Sequence, residues 1–258
     1  MEKSVLLETR DGVAKVTLNR AEGANALDMT MGRDLLEAAL RVEADPAVLA
    51  VVVTGAGKHF CFGGDLRGMA ERGAAVGGYL NELTTNIHAA ISCFTRLKAP
   101  VIAAVNGTAA GGGVGLVCMT DLAIAGRSSR FSLAYTGVGL APDCSTSFLL
   151  PRIVGRRRAL ELLLTNRTLS ADEALAWGLV NQVVDDAEVL PQALALAAKF
   201  AAGPTESYAA VKRLMDTADP GLEAQMALEG RAIAAQALHP HGQEGVAAFL
   251  GKREPNYG

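Results

Sequence analysis

The stretch Pro100-Val-Ile-Ala-Ala-Val-Asn-Gly-Thr-Ala-Ala-Gly-Gly-Gly-Val-Gly-Leu-Val117 decides the fold class of this chain. A short apolar run leads into the glycines Gly111 to Gly113, and a helical pattern follows. This order predicts a buried strand, a tight turn and a helix N-terminus, where bare backbone N–H groups face an anionic ligand or transition state. Tight packing of the helix against the strand would favour the same glycines. The stretch alone leaves both interpretations open.

Composition indicates a globular α/β protein. The 258 residues are 50% hydrophobic and 20% charged, with a formal net charge of −3, which suits one domain with a sizeable core. No basic tract stands out, so we expect no nucleic-acid partner. Residues 99–120 carry no charge, but Asn106, Thr108 and the glycines divide them into short pieces. They predict a buried strand, turn and helix rather than a membrane span.

The cysteines and the first residues favour a cytoplasmic location. The four cysteines form no CxxC pair, a pattern more typical of cytosolic thiols than of disulfides or a zinc site. We therefore expect no bound metal. Residues 1–10 are charged and lack the apolar segment of a signal peptide.

Strands alternate with helices through Val184, after which only helices are predicted. The alternating part indicates an α/β core, and the alanine-rich part that follows indicates a helical C-terminal region. We place the boundary near Gly203, which divides the chain into residues 1–202 and residues 203–258. Inside the core, the glycine- and alanine-rich segment 74–78 is predicted to be mobile.

Three segments are candidates for chemistry. Two are glycine turns after apolar strands, Phe60-Cys-Phe-Gly-Gly-Asp65 and residues 107–115; the third is Gly139-Leu-Ala-Pro-Asp-Cys-Ser145. Asp143 lies among apolar and small residues, where an aspartate is either a desolvated general base or the N-cap of the next helix, worth about 1 kcal/mol. Cys144 would need a histidine partner to act as a nucleophile, and the sequence places none beside it.

Five segments spread over the chain are together similar to the motifs of one family. They are Asn19-Arg-Ala-Glu-Gly-Ala-Asn-Ala-Leu27, Val52-Val-Thr-Gly-Ala-Gly-Lys-His-Phe-Cys-Phe-Gly-Gly-Asp65, Val105-Asn-Gly-Thr-Ala-Ala-Gly-Gly-Gly113, Ala174-Leu-Ala-Trp-Gly-Leu-Val180 and Phe249-Leu-Gly-Lys-Arg253. In combination they resemble the enoyl-CoA hydratase/isomerase (crotonase) family. The resemblance implies an α/β fold, a crotonase-type spiral of ββα units with a C-terminal helical trimerisation region. It also implies homotrimers or dimers of trimers that bind an acyl-CoA thioester.

The resemblance also implies which residues bind that thioester. In the family two backbone N–H groups hold the thioester oxygen, and their positions match Gly64 and Gly112. The CoA moiety is expected against two loops and a C-terminal lysine: Ala24, Ala26, Cys61, Phe62, Gly63, Asp65, Leu66 and Lys252. Lys252 matches a residue that approaches the CoA phosphates, sometimes from a neighbouring subunit. The CoA thioester is the substrate, and we expect no separate cofactor.

The departures from the family pattern concern its acids. Hydratases of the family use two glutamates to position and split water, and their positions match Gly115 and Tyr135 here. Neither residue is ionised near neutral pH, so we expect ordinary hydration to be lost and these two positions to line the acyl pocket. Asp143 matches the lone acid of the isomerase branches, which act on 3-enoyl-CoA or on ring-epoxidised phenylacetyl-CoA.

The expected reaction is an allylic isomerisation. Asp143 removes the proton next to the thioester, the amides of Gly64 and Gly112 stabilise the enolate oxygen, and Asp143 returns the proton two carbons further on. A ring-epoxide substrate would expand to an oxepin instead. Three alternatives stay open: a hydratase-like enzyme, a dehalogenase- or hydrolase-like enzyme in which Asp143 attacks carbon, and a non-catalytic protein that binds acyl-CoA or a protein partner.

Overall fold

The strands of this computed structural model, which describes residues 3–216 and 221–257, form two sheets. The described ranges contain β1 (Val5–Arg10), β2 (Val13–Leu18), β3 (Ala50–Gly55), β4 (His59–Cys61), β5 (Val101–Val105), β6 (Thr108–Ala110), β7 (Leu122–Gly126), β8 (Arg130–Ser132), β9 (Leu169–Ser170) and β10 (Gln182–Val184). One sheet has the order β1-β2-β3-β5-β7-β10, and the other has the order β4-β6-β8-β9.

Helices follow the strands and cover the sheets. They are α1 (Met29–Ala44), α2 (Leu66–Ala70), α3 (Val76–Arg96), α4 (Gly112–Cys118), α5 (Thr146–Val154), α6 (Arg156–Thr165), α7 (Ala171–Trp177), α8 (Val189–Ala201), α9 (Thr205–Asp216), α10 (Leu222–Leu238) and α11 (Pro240–Leu250). No helix in the described ranges is long and apolar enough to cross a membrane.

The chain repeats one structural unit three times. A strand of the larger sheet turns into a strand of the smaller sheet, and a helix follows: β3, β4 and α2; β5, β6 and α4; β7, β8 and α5. Successive strands pair in parallel within each sheet, β3 with β5 and β5 with β7, and β4 with β6 and β6 with β8. The predicted spiral of ββα units is confirmed, and each strand-to-strand turn brings a loop to the same side of the core.

The central strands are buried on both faces. Val51 and Val53 of β3 belong to the main core, whereas Ala50 and Val52 pack with the buried residues of α8 on the opposite face. A strand covered on both sides has no polar face, which is why β3 and β5 are continuous apolar runs in the sequence. β1 and β2 form an antiparallel hairpin.

α1 and α3 pack against each other over the main core. The side chain of Asp28 accepts a hydrogen bond from the Met31 amide at 2.8 Å and caps α1, as its place in the sequence predicts. Gly32 lets α3 approach closely, because a Cβ there would lie 3.2 Å from Leu83. The mobility of segment 74–78 stays a prediction; the structure places the start of α3 at Val76, with two glycines in its first turn.

The helix α9 contacts the core through buried and polar residues, and its Ala209 and Ala210 are buried. Lys212 of α9 donates to the Asp121 carboxylate at 2.7 Å and to the Ala99 carbonyl at 3.0 Å. From the last turn of α9 onward, these large apolar side chains are exposed: Met215, Ile233, Leu238, Val246, Phe249 and Leu250. The division of the chain near residue 203 stays a prediction, although the exposed apolar face begins in this region.

Candidate active site

The two glycine turns identified in the sequence are in direct contact. Leu27 pairs with Gly64 in an isolated parallel β-bridge. The Leu27 amide donates a hydrogen bond to the Gly63 carbonyl at 2.7 Å, and the Asp65 amide donates one to the Leu27 carbonyl at 3.1 Å. A Cβ on Gly63 would lie 2.9 Å from the Gly112 nitrogen, which shows how closely the two turns approach.

The amides of Gly64 and Gly112 are free to bind a ligand. Gly112 is the first residue of α4, so its N–H has no partner within the helix. Gly64 lies between the two hydrogen bonds of the Leu27 bridge and its own N–H takes part in neither. Within residues 3–216 and 221–257, neither amide donates a hydrogen bond to the chain.

The space around Gly112 is crowded by two side chains. A Cβ on this residue would approach the Cys144 sulfur to 2.8 Å and the Leu27 side chain to 2.9 Å. The preceding Gly111 has φ of +49° and ψ of −121°, a conformation that L side chains rarely adopt. The packing interpretation of the triple glycine is therefore supported by these close contacts, and its ligand-binding interpretation stays a prediction.

A cavity of about 230 Å³ joins these amides to the predicted acid. Gly64, Gly112, Tyr135 and Asp143 all line it. The remaining wall is mainly apolar and comes from the loop before α1, from α2, from the N-terminal half of α3 and from the loop before α5: Leu27, Met69, Leu80, Leu83, Thr84, Ile87, Leu140, Ala141 and Cys144. Two amides and one carboxylate therefore face one small, mostly apolar space, which we call the acyl cavity.

Asp143 is paired with a histidine that sequence reasoning missed. Its Oδ1 lies 2.6 Å from Nε2 of His88, and its Oδ2 accepts a weak hydrogen bond from the Cys144 thiol at 3.5 Å. The side chain of Asp143 is 33% exposed and that of His88 is 53% exposed. His88 lies 55 residues earlier, in α3. Its place in the helical pattern of that segment is that of an ordinary residue. Only the packing of α3 against the loop before α5 brings the pair together.

The N-cap interpretation of Asp143 is wrong for its side chain. Ser145 occupies the N-cap position of α5, with φ of +62° and no side-chain capping bond. The backbone carbonyl of Asp143 accepts hydrogen bonds from the amide and hydroxyl of Thr146 instead. The carboxylate is thereby left for His88 and the acyl cavity.

Cys144 and Ser145 form a strained turn beside the cavity. Both have positive φ, +52° and +62°, and a non-glycine residue in such a conformation costs on the order of 1–3 kcal/mol. Burial raises the pKa of the Cys144 thiol well above its usual value, and the Asp143 carboxylate adds to the effect. A thiol kept protonated is a poor nucleophile, which argues against nucleophilic chemistry at Cys144.

The two positions expected to line the pocket differ in location. Tyr135 is part of the cavity wall, and its hydroxyl donates to the Asp143 carbonyl at 3.2 Å; burial raises the pKa of this phenol. Gly115 is buried behind the wall, where a Cβ would collide with the Cys144 carbonyl oxygen. Gly115 therefore supports the turn at Cys144. The prediction that Gly115 lines the pocket is wrong, because this residue lies behind the cavity wall.

A second cavity of about 600 Å³ begins on the other side of Gly64. It is lined by six of the residues that the resemblance assigned to CoA or the thioester: Ala24, Ala26, Phe62, Gly64, Asp65 and Leu66. Cys61 is buried beneath this surface, and Gly63 packs against Ala110 and Gly112. Lys252 lies in the turn after α11 and lines neither cavity.

Arg20 supports the loops of this second cavity and was not singled out from the sequence. Its guanidinium pairs with Asp65 at 2.8 Å and Asp28 at 3.4 Å, and donates to the Ala26 carbonyl at 3.2 Å. The Gly68 amide and Arg20 hold the pKa of the Asp65 carboxyl below its usual range, against the effect of burial. Arg20 thus ties together the loops that carry Ala26 and Asp65.

Known proteins are similar to this chain in fold and in sequence over nearly its whole length. A sequence model of the enoyl-CoA hydratase/isomerase family matches residues 8–258. The chain belongs to the enoyl-CoA hydratase/isomerase family. The resemblance read from its motifs is therefore confirmed.

Relatives within this family carry different activities in their names. The 4-chlorobenzoyl coenzyme A dehalogenase-2 of an Arthrobacter species is 38% identical over 250 residues, covering 96% of this chain and 91% of that protein. The 1,2-epoxyphenylacetyl-CoA isomerase of Escherichia coli K12 is 37% identical, covering 100% and 99%. The structure of an enoyl-CoA hydratase from Polaromonas sp. JS666 matches with a TM-score of 0.93 and 32% identity, covering 98% and 99%. The chain is thus a crotonase-superfamily enzyme, and an acyl-CoA substrate is consistent with this family.

Proposed function

We propose that this enzyme is an enoyl-CoA isomerase that moves a double bond from the 3- to the 2-position through a thioester enolate, the type of reaction grouped as EC 5.3.3. The observation that carries the proposal is the acyl cavity, which holds two unbonded amides, Gly64 and Gly112, and one carboxylate, Asp143. A ring-epoxide substrate would use the same groups for ring expansion.

The thioester oxygen binds between the two amides. When Asp143 removes a proton from carbon 2, the electron pair moves onto this oxygen and the amides stabilise the new charge. Such a donor is typically worth about 2.7–4 kcal/mol, because it binds the enolate more strongly than the ground-state carbonyl. Protonated Asp143 then delivers the same proton to carbon 4, and the double bond becomes conjugated with the thioester.

A lone carboxylate favours isomerisation over hydration. Isomerisation needs one group that accepts and returns a proton, whereas hydration also needs a group that activates water. The positions of the two hydratase glutamates hold Gly115 and Tyr135, and the phenol of Tyr135 stays protonated because burial raises its pKa. Tyr135 therefore lacks the basicity needed to replace a carboxylate.

Conversion of 3-enoyl-CoA to 2-enoyl-CoA, followed by its ultraviolet absorbance, tests the proposal. We expect turnover by the unaltered enzyme and its near loss in Asp143→Asn, with CoA-thioester binding retained. Crotonyl-CoA is the control substrate, since we expect its hydration to be negligible. Efficient hydration, or full isomerase activity in Asp143→Asn, would contradict the proposal.

The His88–Asp143 contact favours one second candidate, nucleophilic displacement. In that reaction an Asp143 oxygen attacks the halide-bearing ring carbon of a haloaroyl-CoA, and halide leaves with its bonding electrons. His88 then takes a proton from water, and the resulting hydroxide equivalent attacks the carboxyl carbon of the aryl ester. The products are hydroxyaroyl-CoA and free Asp143. A histidine half exposed to solvent and 2.6 Å from the carboxylate suits that base.

Halide release from 4-chlorobenzoyl-CoA separates the two candidates. Displacement predicts halide release and a covalent adduct on Asp143, which mass spectrometry of a His88→Gln variant would detect. Isomerisation predicts neither. A third outcome, binding of acyl-CoA without any turnover, would identify a non-catalytic member of the family.

We propose that the enzyme assembles as a homotrimer or as a dimer of trimers. The large apolar side chains that α10 and α11 leave exposed include Ile233, Leu238, Phe249 and Leu250, and such clusters mark interaction surfaces. Assembly through this region would allow Lys252 of one protomer to approach CoA bound to another. Light scattering tests the assembly: a particle of the monomer mass would contradict it.

A further inference from the structure

A third cavity also has Asp143 in its wall. Its volume is about 450 Å³, and Asp143 lines it as well as the acyl cavity. We call it the α3–α5 groove, because α3 and the start of α5 form its two walls. Its apolar surface comes from Ile91, Pro142, Phe148 and Leu149, and its polar surface from His88, Ser92, Thr95, Arg96, Ser145 and Ser147.

The groove continues the acyl cavity along one helix. The N-terminal half of α3 faces the acyl cavity as far as Ile87, and the C-terminal half, from His88 to Arg96, faces the groove. The two spaces meet at Asp143. A chain that enters at the amides and passes the carboxylate therefore has a path along α3.

The proposed reaction gives the acyl chain this direction. The thioester is held at Gly64 and Gly112, and Asp143 must reach carbon 2 and carbon 4 in turn. The atoms beyond carbon 4 therefore extend past the carboxylate, and the α3–α5 groove is the space that adjoins it there. This step rests on the proposed isomerase function.

The far end of the groove carries a cation. Arg96 lies eight residues after His88, which is about 12 Å along the helix axis at about 1.5 Å per residue. Within the described part of the chain, Arg96 takes part in no ion pair within 4 Å. It also lines a separate cavity, together with the acids Glu43, Asp45 and Glu206. A guanidinium without a partner binds carboxylates well, because its fork of donors matches their geometry.

We infer that the α3–α5 groove receives the distal part of the acyl group and that Arg96 binds a carboxylate at its end. The substrates would then be ω-carboxyacyl-CoA thioesters. Bonds of about 1.5 Å allow an extended chain of roughly six to ten carbons to span the groove. Apolar side chains contact the methylene groups, and the serine and threonine hydroxyls lie nearer the charged end.

Binding of two unreactive probes tests the subsite without catalysis. The probes are decanoyl-CoA and the analogue of the same length that ends in a carboxylate. We expect the carboxylate analogue to bind at least tenfold more tightly to the unaltered enzyme, and Arg96→Gln to remove this preference while leaving decanoyl-CoA binding unchanged. Lys98→Gln is the matched control, because Lys98 is a nearby exposed cation that lines the cavity of Glu43 and Glu206 and not the groove. This variant should still bind the carboxylate analogue more tightly than decanoyl-CoA.

Two results would overturn the inference. Equal binding of the two probes would show that no anion is recognised, and an equal loss of both in Arg96→Gln would show that Arg96 acts on the fold. Isomerisation is measured separately on 3-enoyl-CoA with and without a terminal carboxylate. A carboxylate preference in binding without any isomerisation would contradict the proposed function and leave the anion subsite standing. Isomerisation with no carboxylate preference would support the proposed function and contradict the anion subsite.

Discussion

The two walls of the acyl cavity are built by different means. The amide wall uses backbone groups of Gly64 and Gly112, positioned by local turns and by packing that excludes a Cβ. The acid wall uses the side chains of Asp143 and His88, from segments 55 residues apart that remain partly exposed. In the proposed function the amide wall binds the thioester oxygen, and the acid wall carries the proton transfer that distinguishes isomerisation from displacement.

Asp143→Asn should have the largest effect on the rate. The amide side chain keeps the shape of the carboxylate but cannot accept a proton, and a general base typically contributes 10²- to 10⁴-fold. We expect isomerisation to fall by roughly 10³-fold, with the Kd for decanoyl-CoA little changed. Asp185→Asn is the control: this exposed carboxylate pairs with Arg127, and its loss should leave the rate intact. Equal loss in both variants would indicate a global effect of charge.

Gly112→Ala should have the next largest effect, on the amide wall. Its Cβ would overlap the Cys144 sulfur and Leu27, so the turn must shift and the amide leaves its position. Loss of one such donor costs about 10²- to 10³-fold in kcat, and we expect roughly 10²-fold. Gly77→Ala, where the Cβ meets open space, is the control for a glycine-to-alanine change and should keep full activity. If Gly112→Ala retains normal turnover, this amide does not stabilise the enolate.

His88→Gln should have a smaller effect on the rate, and the kind of effect should differ between the two candidate reactions. Glutamine can still donate a hydrogen bond to Asp143 but cannot take a proton from water. An isomerase needs only the orientation of the carboxylate, so we expect a loss of about tenfold or less in kcat. A displacement enzyme would instead stall at the covalent ester. Rapid-quench kinetics on both substrates distinguishes a modest uniform slowing from a burst followed by arrest.

The contrast between the walls also explains what the sequence could predict. Gly64 and Gly112 were identifiable because glycine turns after apolar strands are local patterns with a steric cause. Asp143 was identifiable as a candidate, and only the turn at Ser145 shows that its side chain does not cap α5; its catalytic role stays a prediction. His88 has no local signal, since a histidine within an amphipathic helix is an ordinary residue. Gly115 was misplaced because its burial depends on how the loop at Cys144 crosses α4.

Asp65→Ala should produce the smallest effect, on the support of the amide wall. Asp65 caps α2 through the Gly68 amide at 3.1 Å and pairs with Arg20 at 2.8 Å. Loss of a cap costs roughly 1 kcal/mol, so we expect a small decrease in the free energy of unfolding and a raised KM. Asp65→Asn keeps a capping side chain and loses only the charge, which makes it the matched control.

The pH dependence of the difference in free energy of unfolding between the unaltered enzyme and Asp65→Asn gives a sharper test of Asp65. Because the pKa of Asp65 is lower in the folded protein, ionised Asp65 contributes its stability above the unfolded-state pKa, near 3.9. This contribution is lost as the pH falls through the lower, folded-state pKa. The difference in free energy of unfolding between the unaltered enzyme and Asp65→Asn should therefore be present at pH 7 and should shrink as the pH falls below about 4. A difference independent of pH would show that the charge of Asp65 does not stabilise the amide wall, leaving only the cap as its contribution.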